Sequence, residues 1–329
     1  MKVIGLEEHF VFPEVVKAWQ ALDPRWQDFA LRPATEGDSA RRLADLGDER
    51  LASMRETGLD VQVLSLSTPG VQNLAPANAI TLQAAANDLL ADTVRAHPDR
   101  FQGLATLATP APAAAARELE RAVTVLGLNG AMLFGRTRGE NLDDPGFWPV
   151  FEAAASLRAP LYLHPQTPPP EVRSAYYGGL GSAVDAAFAT HRIGWHYETG
   201  VQLLRLILSG VFDRFPDLQV IVGHWGEVVL FYLERLEPLA VMAKLARPLA
   251  EYVRSNVFFT PSGMFSQRLL RWTIEIVGID RILFSTDYPF EFNQRMTARR
   301  FLAQADLTDA HREQIAAGNW DRLCAGIRR

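Results

Sequence analysis

The sequence has few of the features that mark secreted, membrane or nucleic-acid-binding proteins. Cys324 is its only cysteine, so the chain can form neither an internal disulfide nor a cysteine-rich zinc site. No run of about 18 apolar residues occurs, which argues against a transmembrane helix. The N-terminus lacks a basic start followed by an apolar stretch, so we expect no signal peptide and a cytoplasmic location.

Charge gives no sign of a polyanionic partner. The net charge is −5 at neutral pH and no cationic block occurs, so we expect neither a nucleic acid nor a membrane as a partner. Lysine is rare, at Lys2, Lys17 and Lys244 only, and arginine supplies the remaining positive charge. Hydrophobic residues make up 48% of the 329 residues and charged residues 22%, so the chain can bury a large core.

Short apolar runs alternate with helical patterns along the whole chain. Eight runs can be counted, at residues 3–6, 61–67, 101–107, 130–134, 160–164, 218–224, 257–261 and 282–287. Most are rich in Val, Ile, Leu and Phe without alternation, which is typical of strands buried on both faces of a parallel sheet. This alternation predicts an α/β fold, a distorted (β/α)8 barrel in which residues 1–329 form one domain.

Two connections are too long for simple turns between a strand and a helix. Residues 10–50 follow the first apolar run, and residues 165–198 follow the fifth. Both leave the carboxyl ends of strands, where the active sites of such barrels lie, so we expect lid insertions over a pocket. Their aromatic residues could equally pack only within the insertions themselves.

Side chains that commonly bind metal ions occur at the ends of these runs. Glu7 and His9 are two residues apart, and regular strand alternation would place both on one face. His164 and Asp287 end the fifth and eighth runs. Side chains at one rim of a barrel can converge although they are distant in sequence. Two imidazoles and two carboxylates suit Zn²⁺ or Mn²⁺, so the pattern predicts a metal site.

We expect a single divalent ion and no organic cofactor. The fourth run, at residues 130–134, contains no lysine that could be carbamylated to bridge two ions. The sequence also lacks a glycine-rich dinucleotide loop and a phosphate-binding loop.

Longer segments around these residues resemble the amidohydrolase-related decarboxylases, and within them the γ-resorcylate and 2,3-dihydroxybenzoate decarboxylases. The resemblance rests on LEEHF at 6–10, YLHP at 162–165, GHWGE at 223–227, FSTDYPF at 284–290 and GNWDRL at 318–323. Glu-x-His, rather than His-x-His, is similar to the dihydroxybenzoate branch and not to the aminocarboxymuconate-semialdehyde branch. The resemblance implies metal-dependent, non-oxidative decarboxylation of a small hydroxylated aromatic acid of the ortho-hydroxybenzoate type. It also implies a homodimer or homotetramer.

The resemblance implies a role for individual side chains. The four rim residues named above correspond to metal ligands, and Asp287 also to the acid that protonates the substrate carbon. His224 corresponds to a catalytic imidazole beside the metal, with Glu227 as its partner. Arg235 falls where the branch has a substrate-side arginine, and an ordinary helix-surface arginine is the alternative. Phe134 lies near the place where the branch has an asparagine facing the substrate. This difference leaves open which substituents the aromatic ring of the substrate carries.

Several alternatives remain open from the sequence. His196, in the second long connection, is either a substrate-pocket residue or a solvated loop histidine. His224 and Glu227 could form a purely structural pair. The same ligands would serve a hydrolase or hydratase that uses a metal-activated water molecule. A non-catalytic binding protein that retains the barrel is a further hypothesis. A flat aromatic pocket with an arginine would favour decarboxylation, whereas room for an amide or lactone would favour hydrolysis.

Overall fold

The computed structural model describes residues 1–291 and 297–329. Short strands, all but one pair of them parallel, form its centre. In chain order they are β1 (Ile4–Phe10), β2 (Val61–Leu66), β3 (Phe101–Gly103), β4 (Ala105–Thr106), β5 (Ala131–Phe134), β6 (Arg136–Thr137), β7 (Glu140–Asn141), β8 (Leu161–His164), β9 (Val220–Val222) and β10 (Val257–Phe259). β6 and β7 form a small antiparallel hairpin outside the barrel.

The parallel strands close into a ring. β1, β2 and β3 form one sheet, and β4, β5, β8, β9 and β10 form the other in the order β10-β9-β8-β5-β4. β3 and β4 are two parts of one strand interrupted at Leu104, whose backbone N–H donates to the carbonyl of Leu64 at 2.9 Å. Residues 282–285 complete the ring through isolated parallel bridges to β10 and β1. The predicted (β/α)8 barrel is confirmed, and it departs from regularity at the first, third and eighth strand positions.

Helices surround this ring and fill its long connections. They are α1 (Pro13–Gln20), α2 (Leu31–Thr35), α3 (Gly37–Ala44) and α4 (Asp48–Thr57) before β2; α5 (Pro76–Ala96), α6 (Pro112–Thr124) and α7 (Trp148–Leu157) before β8; α8 (Pro170–Val172), α9 (Ser182–Ala187), α10 (Gly194–Leu208) and α11 (Val211–Arg214) before β9; α12 (Leu233–Leu236), α13 (Pro238–Met242) and α14 (Leu249–Asn256) before β10; and α15 (Gln267–Val277), α16 (Thr297–Ala303), α17 (Asp309–Glu313) and α18 (Asn319–Ala325) after it. Both long connections are thus partly helical. Across the described ranges, no helix is long and apolar enough to cross a membrane.

Two apolar layers hold the barrel together. Val61 and Val63 of β2 belong to an inner cluster, whereas Leu64 and Leu66 pack in the layer between strands and helices. Trp320 of α18 joins the inner cluster, and its indole N–H donates to Gln102 at 2.7 Å. Burial of both strand faces explains the continuous apolar runs of the sequence.

β1 is irregular at the residues expected to bind metal. Its register against β2 shifts between Gly5 and Glu8, and Glu7 has a φ of 61°. A bulge of this kind redirects side chains locally. Regular alternation was therefore the wrong reason for grouping Glu7 with His9, because the bulge sets the direction of the Glu7 carboxylate.

Candidate metal centre and active site

Four side chains converge at the carboxyl rim of the barrel. Glu7 and His9 come from β1, His164 ends β8, and Asp287 follows the segment that closes the ring. One potential ligand atom from each lies within 4.8 Å of those of the other three. His9 Nε2 is 3.4 Å from Asp287 Oδ1, and His164 Nε2 is 3.4 Å from Glu7 Oε1. The structure thus brings together all four residues that the sequence groups in one metal site.

The free atoms of this cluster fit a metal ion. Glu7 Oε1 and His9 Nε2 are buried and make no hydrogen bond within the described residues. Buried polar atoms are nearly always satisfied, so these two point to a ligand. His164 Nδ1 donates to the Pro165 carbonyl at 2.8 Å, which leaves Nε2 as the acceptor facing the cluster. A set of imidazole nitrogen and carboxylate oxygen suits a first-row divalent ion.

Burial sets the charge of these groups. Burial raises the pKa of Glu7 and of Asp287 to about 7, against the opposing positive charge of His224. Burial also lowers the pKa of His9 to about 3 and that of His164 well below its ordinary value. Both imidazoles are therefore neutral, which is the form that binds metals. A cation between the carboxylates would favour their charged form.

Backbone strain is concentrated at this rim. Glu7, His224 and Asp287 have φ values of 61°, 49° and 59°, a region that non-glycine residues seldom adopt. Each such residue costs on the order of 1–3 kcal/mol, which the surrounding packing must offset. Strained positions of this kind cluster at functional sites.

Glu8 and Arg50 hold β1 against the segment that carries Asp287. The Glu8 carboxylate accepts hydrogen bonds from the backbone N–H of Thr286 at 2.9 Å and from its hydroxyl at 2.7 Å. Arg50 is fully buried and donates from Nη2 to the carbonyl of His9 at 2.6 Å. The carboxylate of Glu8 thus points away from the cluster. The part played by Arg50 was not predicted, because the sequence identifies residues 10–50 only as a long connection.

A second cluster lies beside the first. Glu227 is fully buried, and its two oxygens accept hydrogen bonds from two histidines. Oε1 is 2.7 Å from His224 Nδ1, and Oε2 is 2.7 Å from His196 Nδ1. Burial acts to lower the pKa of His224, but the charges of Glu227 and Glu7 outweigh it and raise that pKa to about 10. Burial acts to raise the pKa of Glu227, but the two histidines lower it to about 2. The pair of His224 and Glu227 is therefore charged at neutral pH.

Both clusters face one cavity of about 660 Å³. His164, Asp287, His196 and His224 reach it. Its remaining walls combine apolar and polar side chains from both long connections and from the loops after β9, β10 and residue 287: Pro33, Ser39, His191, Arg192, Ile193, Trp195, Val228, Ser262, Gly263, Met264, Phe290 and Glu291. Residues of both insertions thus line the cavity, and their role as a lid stays a prediction.

Two predicted substrate residues are placed elsewhere. Phe134 is buried, and its ring packs edge to face against that of His164, with 5.4 Å between the ring centroids. It therefore contacts a candidate metal ligand and does not line the cavity. Arg235 is exposed on α12, because Leu233 takes the buried position of that short helix. Arg235 is not among the described residues that line the cavity. The structure of a single chain therefore does not support its predicted contact with the substrate. Arg192, which the sequence reasoning missed, lines the cavity instead.

A closed barrel with two imidazoles and two carboxylates converging at its carboxyl rim defines a candidate metal-dependent barrel enzyme. The profile of the amidohydrolase family matches residues 14–323, and the chain belongs to this family.

Relatives of similar length are decarboxylases of aromatic acids. γ-Resorcylate decarboxylase of Polaromonas sp. is 34% identical over 335 residues, which cover 97% of each chain. The structure of 5-carboxyvanillate decarboxylase from Sphingomonas paucimobilis superposes with a TM-score of 0.89 at 35% identity, covering 98% of this chain and 99% of the other. The 5-carboxyvanillate decarboxylase of Novosphingobium aromaticivorans, solved with manganese and 4-hydroxy-3-methoxy-5-nitrobenzoic acid, gives 0.88 at 31% identity, covering 98% and 96%.

Proposed function

We propose that the chain is a metal-dependent decarboxylase that removes CO₂ from an aromatic acid carrying a hydroxyl group ortho to the carboxylate. The observation that carries this proposal is the convergence of Glu7, His9, His164 and Asp287 beside one cavity, which His164 and Asp287 line. The full-length relatives are decarboxylases of hydroxylated aromatic acids, which favours decarboxylation over the hydrolase or hydratase alternative.

We assign these four residues as ligands of one divalent ion, Mn²⁺ or Zn²⁺. When bound, such an ion stabilises negative charge that develops on the oxygens of the substrate. Manganese is present in the solved Novosphingobium relative, and imidazole with carboxylate ligands suits zinc equally well. The neutral imidazoles of His9 and His164 require no deprotonation before they bind.

The cavity has the size and charge that such an acid requires. Its volume lies within the roughly 300–1,000 Å³ that is usual for small-molecule sites. Trp195, Met264 and Phe290 supply apolar walls for a flat ring. The cationic His224 and the guanidinium of Arg192 supply positive charge that attracts a carboxylate.

We assign Asp287 as the acid and His224 as its assistant. When the bond between the ring and the carboxylate breaks, its electron pair stays on the ring carbon and CO₂ leaves. That carbon must receive a proton, and Asp287 faces the cavity, where we assign its carboxyl group to deliver that proton. Glu227 holds His224 in its charged form beside this reaction. General acid catalysis of this kind contributes roughly 10²–10⁴-fold to a rate.

A panel of acids tests the proposed function. The manganese-loaded protein is incubated with γ-resorcylate, 2,3-dihydroxybenzoate and 5-carboxyvanillate, and turnover is read from ultraviolet absorbance and released CO₂. Benzoate and 3-hydroxybenzoate are matched controls without an ortho hydroxyl group. We expect CO₂ from at least one ortho-hydroxy acid and none from the controls. Hydrolysis of aryl amides or lactones without any decarboxylation would contradict the proposal.

We also propose that the chain forms a homodimer or homotetramer. Leu230 and Leu233 of the apolar stretch that follows β9 are buried within the chain and are ordinary packing positions. In the same region, however, Phe231, Val241 and Met242 are 71%, 82% and 75% exposed. Exposed apolar patches of this kind favour association. Light scattering at micromolar concentration should give at least twice the mass of the chain, and a monomer would contradict this proposal.

A further inference from the structure

One carboxylate joins the second long connection to the active site. Glu227 and His224 belong to the turn after β9, whereas His196 belongs to the first turn of α10. The carboxylate of Glu227 is fully buried and uses one oxygen for each histidine. The side chains of His196 and His224 are 14% and 11% exposed, and both line the cavity.

The turn that carries His224 needs support from outside itself. His224, Trp225, Glu227 and Val228 all have positive φ, between 49° and 63°. Four such non-glycine residues within five positions are unfavourable unless the surrounding structure holds them. Hydrogen bonds and close contacts from neighbouring elements must therefore fix this conformation.

α10 supplies two contacts from one face. His196 donates to the carboxylate of Glu227 at 2.7 Å. Gly200, four residues later, lies so close that a Cβ atom there would be 2.3 Å from the carbonyl oxygen of Glu227. Residues four apart lie on the same face of a helix, so these two contacts act together on one residue. The helix therefore restrains both the side chain and the backbone of Glu227.

We propose that His196 is a positioning residue that, together with the close approach at Gly200, holds Glu227 and thereby orients the imidazole of His224 towards the cavity. The second long connection then completes the active site instead of only covering it. This inference rests on the proposed function, because it assigns His224 a role beside Asp287. It gives His196 a role through Glu227 rather than through direct contact with the substrate.

Paired substitutions at His196 separate orientation from simple packing. His196→Leu removes the N–H donor, whereas His196→Asn keeps an N–H donor at the δ position that Nδ1 occupies in histidine. With γ-resorcylate as substrate, we expect kcat of His196→Leu to fall about tenfold, the lower end of the effect of losing a partner that orients a functional imidazole. KM and metal content should stay within about twofold, and His196→Asn should recover most of kcat. His311→Leu, on α17 and away from the cavity, is the matched control.

A magnetic resonance measurement tests the inference without turnover. In protein labelled with ¹⁵N-histidine, the hydrogen-bonded Nδ1 proton of His224 should give a low-field signal that shifts or broadens in His196→Leu and returns in His196→Asn. Gly200→Ala should disturb the same signal, although alanine is the better helix former. An unchanged signal in His196→Leu, or equal losses of kcat in the Leu and Asn variants, would overturn the inference. If the wild type turns over no acid, the proposed function fails, and the signal alone decides the positioning role.

Discussion

Two clusters of histidine and carboxylate flank one cavity, and they differ in how their atoms are satisfied. In the cluster of Glu7, His9, His164 and Asp287, the facing atoms are about 3.4 Å apart and two buried ones have no hydrogen-bond partner among the described residues. In the second cluster, Glu227 makes two hydrogen bonds of 2.7 Å with its histidines. The first geometry is that of a site for a cation, and the second is that of a closed hydrogen-bonded group.

The difference shows that residue type alone does not decide the chemistry. Metal–nitrogen and metal–oxygen bonds are about 2.0–2.2 Å, so an ion fits between atoms that stand apart but not between atoms already joined by a proton. Burial lowers the pKa of His9 and His164, whereas nearby carboxylates raise the pKa of His224 to about 10. Neutral imidazoles bind a metal, and a charged imidazole interacts with an anion or gives up a proton.

The largest effect should follow from removing a ligand of the first cluster. His164→Ala removes one of two imidazoles, and we expect bound metal and turnover to be lost together. The fold should remain, because the other barrel contacts are intact. Metal analysis beside turnover and circular dichroism tests this prediction. His97→Ala, a histidine at the end of α5, should keep both properties. A His164→Ala protein that binds metal normally would remove His164 from the ligand set.

Asp287→Asn should distinguish the proposed role of Asp287 in metal binding from its proposed role as the proton donor. The amide can still coordinate weakly but cannot act as an acid, so turnover should fall by roughly 10²–10⁴-fold, more than metal content falls. Turnover on the best acid of the panel and metal per chain are measured on the same sample. Asp309→Asn, on the exposed α17, serves as the control. Turnover near the wild-type rate with metal bound would show that another group delivers the proton.

His224→Asn tests the second cluster by the same two measurements. Because His224 lies outside the proposed ligand set, metal content should be unchanged. Turnover should fall by about 10²-fold, since the variant loses the positively charged imidazole of His224 beside the substrate. Loss of metal in proportion to turnover would instead make His224 a ligand and would erase the distinction between the clusters.

Arg50→Lys should have the smallest effect on turnover and a measurable effect on metal binding. Lysine keeps the charge but loses the planar fork that contacts the carbonyl of His9. Loss of groups that support metal ligands typically weakens affinity by about 10–100-fold, and we expect the lower end because the charge remains. Competition with a chelator measures the affinity. Arg95→Lys, exposed on α5, should bind metal like the wild type, and an unaltered affinity in Arg50→Lys would contradict the support role.

The sequence predicts the barrel and the convergence of the rim residues, because buried parallel strands leave continuous apolar runs that end at one rim. It does not predict the bulge that directs Glu7, because a shift of register depends on the neighbouring strand. It places Arg235 at the substrate by resemblance, whereas α12 exposes that residue. The contact between His196 and Glu227 joins residues 31 positions apart, and only the packing of α10 on the turn after β9 brings them together.

Stepwise return of metal to the chelated protein tests the central claim most directly. The protein is stripped of metal, titrated with Mn²⁺ or Zn²⁺, and assayed at each step for bound metal and for decarboxylation of γ-resorcylate or the best acid of the panel. The four-ligand site predicts that turnover rises linearly and stops at about one ion per chain, as expected for a single site. Full activity in the stripped protein would contradict the claim that this cluster holds the metal on which catalysis depends.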